Sequence, residues 1–154
     1  MAQGHVPQAC ALLNDLIEIG GSTAHQTPFD GPRFAAAFLT DDLIVSSFVA
    51  LDQTGDVAGF QVVERGDDDP QSGYISSFAR PTDPIKGVGR ALFAETTSAM
   101  KDAGITRIIA VIRADNTSGL GYYTAMGFKD HAIARGVPLP DGTPIDRITK
   151  IYSV

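Results

Sequence analysis

Cysteine is almost missing from this 154-residue sequence, and Cys10 stands alone. One thiol forms no intrachain disulfide and builds no zinc cluster, so no structural or catalytic metal is expected. No apolar run approaches the ~20 residues of a membrane-spanning helix, which argues against a membrane role. Basic residues are scarce and scattered: 12 Lys and Arg face 18 Asp and Glu, for a net charge of −6. Such a chain lacks the electrostatic footprint of a nonspecific nucleic-acid binder. The first residues also lack the basic flank and apolar stretch of a secretory signal. These absences suit a cytoplasmic protein. With 44% hydrophobic and 19% charged residues, residues 1–154 are expected to form a single domain with a real core.

What is present centres on Arg80-Pro81-Thr82-Asp83-Pro84-Ile85-Lys86-Gly87-Val88-Gly89-Arg90-Ala91-Leu92. The run before it, Tyr74 to Ala79, is short, partly β-branched and aromatic, and reads as a strand. After Gly89, the positions Val88, Leu92, Glu95, Thr96, Ala99 and Met100 recur at helical spacing, and Gly104 suits a C-cap. A strand therefore feeds a glycine loop that opens a helix. Backbone N–H groups and the helix dipole at such a start favour an anion, a pyrophosphate included. The loop alone does not identify the ligand. A dinucleotide fingerprint needs a third glycine near Leu92, and a P-loop needs Gly-Lys-Ser/Thr where this chain has Gly89-Arg90-Ala91.

In chain order, Val6, Ala9, Cys10, Leu12, Leu13, Leu16 and Ile17 predict an amphipathic helix over about 6–19. Cys10 falls on its apolar face and reads as a buried, inert thiol. Gly20-Gly21-Ser22 ends the helix, and a polar stretch leads to a short helix near 31–39. Strands over 43–51 and 56–65 flank the turn Asp52-Gln53-Thr54-Gly55 and predict a hairpin. The acidic loop Gly66-Asp67-Asp68-Asp69-Pro70 reads as a solvated loop, with polyamine attraction as the alternative. The strand over 73–80 precedes the loop and the helix over 87–103. Ile105 to Ile112 is a continuous β-branched run, too short for a helix, and reads as a buried strand. Asp115 and Asn116 are N-cap types for a helix running to about Met126. Strands over 128–134 and 145–152 close the chain around a turn-rich connection at 137–142. The expected fold is α/β: a mixed, mostly antiparallel sheet flanked by helices.

Asn116, Tyr123 seven residues on, and Gly127-Phe128, taken with Arg80-Pro81 and Gly87-Val88-Gly89, resemble the GNAT superfamily of acyl-CoA-dependent N-acetyltransferases. The order of elements agrees from about residue 6 to the end. One departure stands out: the usual Gln/Arg position of the family's loop holds Pro84, which has no N–H to offer a phosphate. The resemblance implies acetyl-CoA as acyl donor, held at the pyrophosphate by the amides of Lys86, Gly87, Val88, Gly89 and Arg90. It implies a splayed parallel strand pair, 73–80 and 105–112, with the pantetheine arm between them against Phe78, Ala79 and Asn116. It implies direct attack of an amine through a tetrahedral intermediate. A finer resemblance, carried by Leu12-Leu13-Asn14 and Thr23-Ala24-His25-Gln26-Thr27-Pro28-Phe29, is to phosphinothricin acetyltransferase-like and related amino-acid N-acyltransferases. It implies a small-molecule amine acceptor, an amino acid or analogue first, with His25, Thr27, Phe29 and Tyr74 as acceptor-site residues. A homodimer is compatible with it.

The resemblance implies that the backbone N–H of Ala79 faces the thioester carbonyl and that Tyr123 protonates the leaving thiolate; a core tyrosine is the alternative for Tyr123. Tyr122 points roughly 100° away on the helix and reads as packing. Asn116 reads equally as a bare N-cap. Lys86 and Arg90 could meet CoA phosphates or be ordinary surface cations. The strand start Gly73-Tyr74-Ile75-Ser76-Ser77 carries no carboxylate to act as base. Glu64, at the end of the preceding strand, is the nearest candidate, with His25 as another. Each has a plain solvated alternative. An α-amine has a pKa near ~8 and is about one-tenth neutral at pH 7, which favours such an acceptor where no base is evident. Two rivals stay open: a protein or peptide N-acetyltransferase, and a noncatalytic acyl-CoA sensor favoured by Pro84 and the missing carboxylate.

Overall fold

A computed structural model of the chain describes residues 1–67 and 69–154. A single 3₁₀ turn, Gln3–His5, leads into helix α1 (Val6–Ile19). Pro7 stands in its first turn, where its missing N–H costs nothing. The expected second helix is split. Gly31–Ala35 is α-helical (α2), and Ala36–Thr40 widens into a π turn. Asp30 caps α2 by accepting the Arg33 N–H at 2.8 Å.

The sheet consists of β1 (Ile44–Leu51), β2 (Val57–Arg65), β3 (Ser72–Ala79), β4 (Arg107–Arg113), β5 (Lys129–Pro138) and β6 (Pro144–Ser153), in the order β1-β2-β3-β4-β6-β5. Only β3 and β4 run parallel; every other neighbouring pair is antiparallel. Helices α3 (Val88–Asp102) and α4 (Thr117–Ala125) follow β3 and β4. β4 starts at Arg107 rather than at Ile105, which is buried just ahead of the strand. β5 runs on to Pro138 through two register irregularities, so the turn is confined to the residues after it.

Period-2 alternation divides the core. Phe60 and Val62 of β2 meet α1, α2 and the π turn through Leu13, Phe34 and Phe38 on one face. Val63 of β2 and Ile75 of β3 meet α3 and α4 through Phe93, Met100 and Tyr123 on the other. Cys10 is buried in the first cluster, and burial raises its thiol pKa, with Asp30 adding to the shift. In the acidic loop, Asp69 accepts from Ser72 Oγ at 2.6 Å and pairs with Arg107. Its neighbour Asp68 lies outside the described residues. Among the described residues no helix is long and apolar enough to cross a membrane.

The consequential feature is where β3 and β4 part. They pair only at Ser72–Arg107, Gly73–Ile108 and Tyr74–Ile109. Beyond that point β4 continues along β6 as far as Arg113–Arg147, while β3 continues along β2 as far as Ala79–Gly59. The two strands splay and leave a wedge.

Candidate active site

The backbone of β3 offers its free groups to this wedge. The Arg80 N–H donates to the Ala58 carbonyl at 3.0 Å, just past the end of the ladder. Alternation in an antiparallel pair then aims the amides of Phe78 and Ser76 at β2. Those of Ile75, Ser77 and Ala79 point the other way, toward the side from which β4 has withdrawn.

A cavity of about 430 Å³ occupies the wedge. Its walls include Phe78, Ala79, Val88, Gly89, Asn116, Tyr123 and His25 among the residues expected from sequence. Lys86, Gly87, Arg90, Glu64, Thr27, Phe29 and Tyr74 do not line it. Lys86 and Arg90 are exposed at the start of α3. The Phe29 ring belongs to the core instead, packing edge-on to Phe34 and His25. Tyr74 is 47% exposed and lies opposite Glu64 in the β2–β3 ladder, where the strands have not yet parted. Burial and the nearby Asp41 raise the Glu64 carboxyl pKa, but its side chain stands away from the cavity wall.

At the mouth, α3 begins without a side-chain cap. Its first helical bond runs from the Ala91 N–H to the Gly87 carbonyl at 2.9 Å. The amides of Val88, Gly89 and Arg90 therefore have no intrahelical acceptor. Gly87 turns the chain at φ 90°, in the left-handed region that a glycine adopts without cost. Gly89 has a different reason: a Cβ there would come within 2.6 Å of the Tyr122 ring. The preceding loop is held by Arg80, which pairs with Asp52 at 3.1 Å and donates to the Asp83 carbonyl at 3.4 Å. An uncapped helix start with no acidic side chain in its first turn suits a phosphate-bearing ligand.

Inside the cavity four polar side chains meet. The Tyr123 hydroxyl donates to Ser77 Oγ at 2.9 Å. Gln61 Nε2 donates to the same Oγ at 2.8 Å and to the Tyr122 hydroxyl at 3.1 Å. The Tyr122 hydroxyl donates to the Gly89 carbonyl at 2.9 Å. Tyr122 is thus not mere packing. The two rings are edge to face, 5.0 Å apart, and α4 lies over the wedge so that both phenols reach it. Burial raises both tyrosine pKa values, most strongly for Tyr123, so its phenol keeps its proton. Gln61 is fully buried, and its Oε1 has no hydrogen-bond partner.

The opposite wall is the loop between α1 and α2. Asn14 grips it at both amide atoms, accepting the Phe29 N–H at 2.8 Å and donating to the Phe29 carbonyl at 2.9 Å. Arg113 donates to the Thr23 carbonyl at 2.8 Å. Asn116 caps α4 by accepting the Gly119 N–H at 2.9 Å, while its Nδ2 donates to the Ser22 carbonyl at 3.0 Å. The Asn116 amide is therefore largely taken up by the fold. His25 sits at the cavity edge against Phe29 and Phe38. Partial desolvation there, with Arg33 adding, lowers its imidazole pKa.

Sequence reading missed Gln61, Ser77, Arg113 and Arg147, all of which line the cavity. A signal existed for Gln61, a lone amide in the apolar run Val57 to Val63. Ser77 and the arginines carry no such mark. Among the described residues no group of three His, Cys, Asp or Glu side chains is placed to hold a metal ion.

Comparison with known proteins agrees with this architecture. A ribosomal-protein-alanine N-acetyltransferase from Brucella melitensis superimposes with a TM-score of 0.89 at 19% identity, covering 100% of this chain and 97% of that one. A GNAT superfamily phosphinothricin acetyltransferase from Sinorhizobium meliloti, solved in complex with AcCoA, gives 0.87 at 21% identity, covering 100% and 85%. An N-acetyltransferase from Staphylococcus aureus gives 0.87 at 18% identity, covering 99% and 94%. At such identities these likenesses establish the fold. No curated protein matches the chain by sequence. The profile of the acetyltransferase (GNAT) family matches residues 12–128, and the chain belongs to that family of acyltransferases.

Proposed function

We propose that residues 1–154 act as one acyl-CoA N-acyltransferase domain in the cytoplasm. In this reading it moves the acetyl group of acetyl-CoA to the primary amine of a small metabolite, α-amino acids and their analogues first. The observation that carries the reading is the wedge itself: free β3 amides on one side, a protonated buried phenol within it and an uncapped helix start at its mouth.

In this reading acetyl-CoA supplies the activated thioester carbonyl. The amides at Val88, Gly89 and Arg90 take its pyrophosphate. The amides of Ser77 and Ala79 are aimed at the pantetheine arm and the carbonyl oxygen, with Ala79 as the oxyanion donor. The acceptor nitrogen forms the new C–N bond, the C–S bond breaks, and Tyr123 gives its proton to the departing sulfur. Ser77 and Gln61 hold that phenol in place. The amine's surplus proton passes to His25 or to water. His25 lines the cavity, and its lowered pKa keeps it neutral and able to accept a proton at pH 7. Glu64 would serve only through intervening water.

A peptide acceptor is the second reading, since the Brucella melitensis relative is named for a ribosomal protein alanine. A mass-spectrometric screen separates the two. The protein is mixed with acetyl-CoA and a panel of amino acids, polyamines, aminoglycosides and short peptides. Acetylated amino acids are the expected product, and acetylated peptides alone would replace this reading with the second. Acetyl-CoA binding without any product would point to a sensor.

A further inference from the structure

We infer that Arg147 reads an acidic group on the acceptor, so that the acceptor is an amine carrying a carboxylate close to its nitrogen. The inference rests on the acyl-transfer reading and adds the recognition element that the reading lacks. Arg113 and Arg147 stand opposite each other in the β4–β6 ladder, and both line the cavity. Their side chains differ in what they already hold. Arg113 is engaged on every side, donating to both Asp115 oxygens at 2.9 and 2.6 Å and to the Thr23 carbonyl. Arg147 has no such partner. Its Nε is buried without a hydrogen bond, and among the described residues no ion pair includes it.

The rest of the wall sharpens this. Among the described residues the cavity is lined by two arginines and a histidine and by no Asp or Glu. That is not the composition of the chain, which carries 18 acidic residues against 12 basic ones. Only its Nε is shut off from water, so the terminal nitrogens of the Arg147 guanidinium stay open to a ligand in the cavity, and a carboxylate meets such a group with two parallel charge-assisted bonds. The position also separates this cation from the phosphate cradle. Arg147 shares the sheet face of Arg113, which reaches the α1–α2 loop, whereas the start of α3 belongs to the other face. Polyamines and aminoglycosides bring only positive charge to a wall that, among the described residues, offers no carboxylate to pair with it. An amino acid brings the amine to the wedge and the carboxylate to Arg147.

The test sets each amino acid against its own carboxamide, with the same side chain and with both rates referred to the neutral amine. Wild-type kcat/KM is expected to favour the acid by roughly 10- to 100-fold, the scale of one charge-assisted pair. Arg147→Gln should collapse that ratio toward one by lowering the rate on the acid, and Arg147→Lys should restore part of it. A ratio near one in the wild type, or the same ratio in Arg147→Gln, overturns the inference. A second measurement needs neither turnover nor a variant. The Nε–H resonance of Arg147, in the wild-type protein saturated with CoA, is followed while N-acetyl-amino acids and their carboxamides are titrated in. Movement with acids only is expected. No movement with any acid, or equal movement with both, overturns the assignment. If no amine is acetylated yet the acids move this resonance, the acyl-transfer reading fails and the anion site stands.

Discussion

The Tyr123 hydroxyl lies 2.9 Å from Ser77 Oγ, tying α4 to β3, whose free amides open into the cleft. Ser77 also accepts from the buried amide of Gln61. The phenol is therefore held by a fixed partner and desolvated at once, the two conditions for a positioned proton donor.

Tyr123→Phe removes that proton and is expected to lower turnover by ~10²–10⁴ while leaving the CoA dissociation constant nearly unchanged. Ser77→Ala should lower turnover by a smaller factor. The double variant should be no slower than Tyr123→Phe alone, because both substitutions act on one proton. Undiminished turnover in Tyr123→Phe would remove the phenol from the chemistry.

Burial, the largest cause, lifts the Tyr123 pKa above its ordinary value, and the Ser77 bond only partly offsets it. The folded chain thus keeps a proton that the unfolded tyrosine releases near pH ~10. Above that pH the unfolded state binds fewer protons, so stability falls as pH rises. Urea titrations at pH 9 and 11 should show the wild type losing more stability than Tyr123→Phe. Equal losses in both proteins would assign the alkaline sensitivity to other groups.

His25 has its pKa lowered, so the folded protein charges it only below the ordinary value of ~6.5. If it takes the amine's proton, kcat/KM referred to the neutral amine should hold down to that pH and fall below it, and His25→Gln should abolish that limb. A limb that survives the substitution moves the base elsewhere, with Glu64 next in line.

The two loop glycines predict different defects. A Cβ at residue 89 would stand 2.6 Å from the Tyr122 ring, so Gly89→Ala should displace that ring and weaken both CoA binding and turnover. At residue 87 a Cβ meets nothing within 4 Å, and the cost comes from φ +90° alone. Gly87→Ala should lower stability by about 1 kcal/mol, since an alanine is strained there. Calorimetric CoA binding and thermal melting of the pair read the two effects separately.

Asn116→Ala should cost about 1 kcal/mol of stability through loss of the α4 cap, and Asn116→Ser should recover most of it. If acetyl-CoA affinity falls in both variants while stability is restored in the second, Asn116 contacts the ligand as well as the helix.

Sequence alone carried the element order, because apolar periodicity and turn chemistry are local. The glycine loop, the Asn116 cap and the Asn116–Tyr123–Gly127-Phe128 spacing were legible for the same reason. The acceptor loop was only half legible. Phe29 reads as a plausible contact residue in a polar stretch, and only the clamp from Asn14 shows that its ring turns into the core. Tyr122 was misjudged because a helical angle says which way a side chain points on its own helix, not what lies beside it.

Tertiary structure decided the rest. Gln61, Ser77, Tyr122 and Tyr123 come from three elements and meet because β3 leaves β4 after Tyr74 and α4 folds over the gap. Arg113 and Arg147 lie far apart in the chain and are set side by side by the β4–β6 register, while Asp115, next to only one of them, satisfies that one. Local patterning fixes which segments become strands and helices. Which polar groups share a cavity, and which of them is left without a partner, depends on strand order and register, and those are properties of the whole sheet.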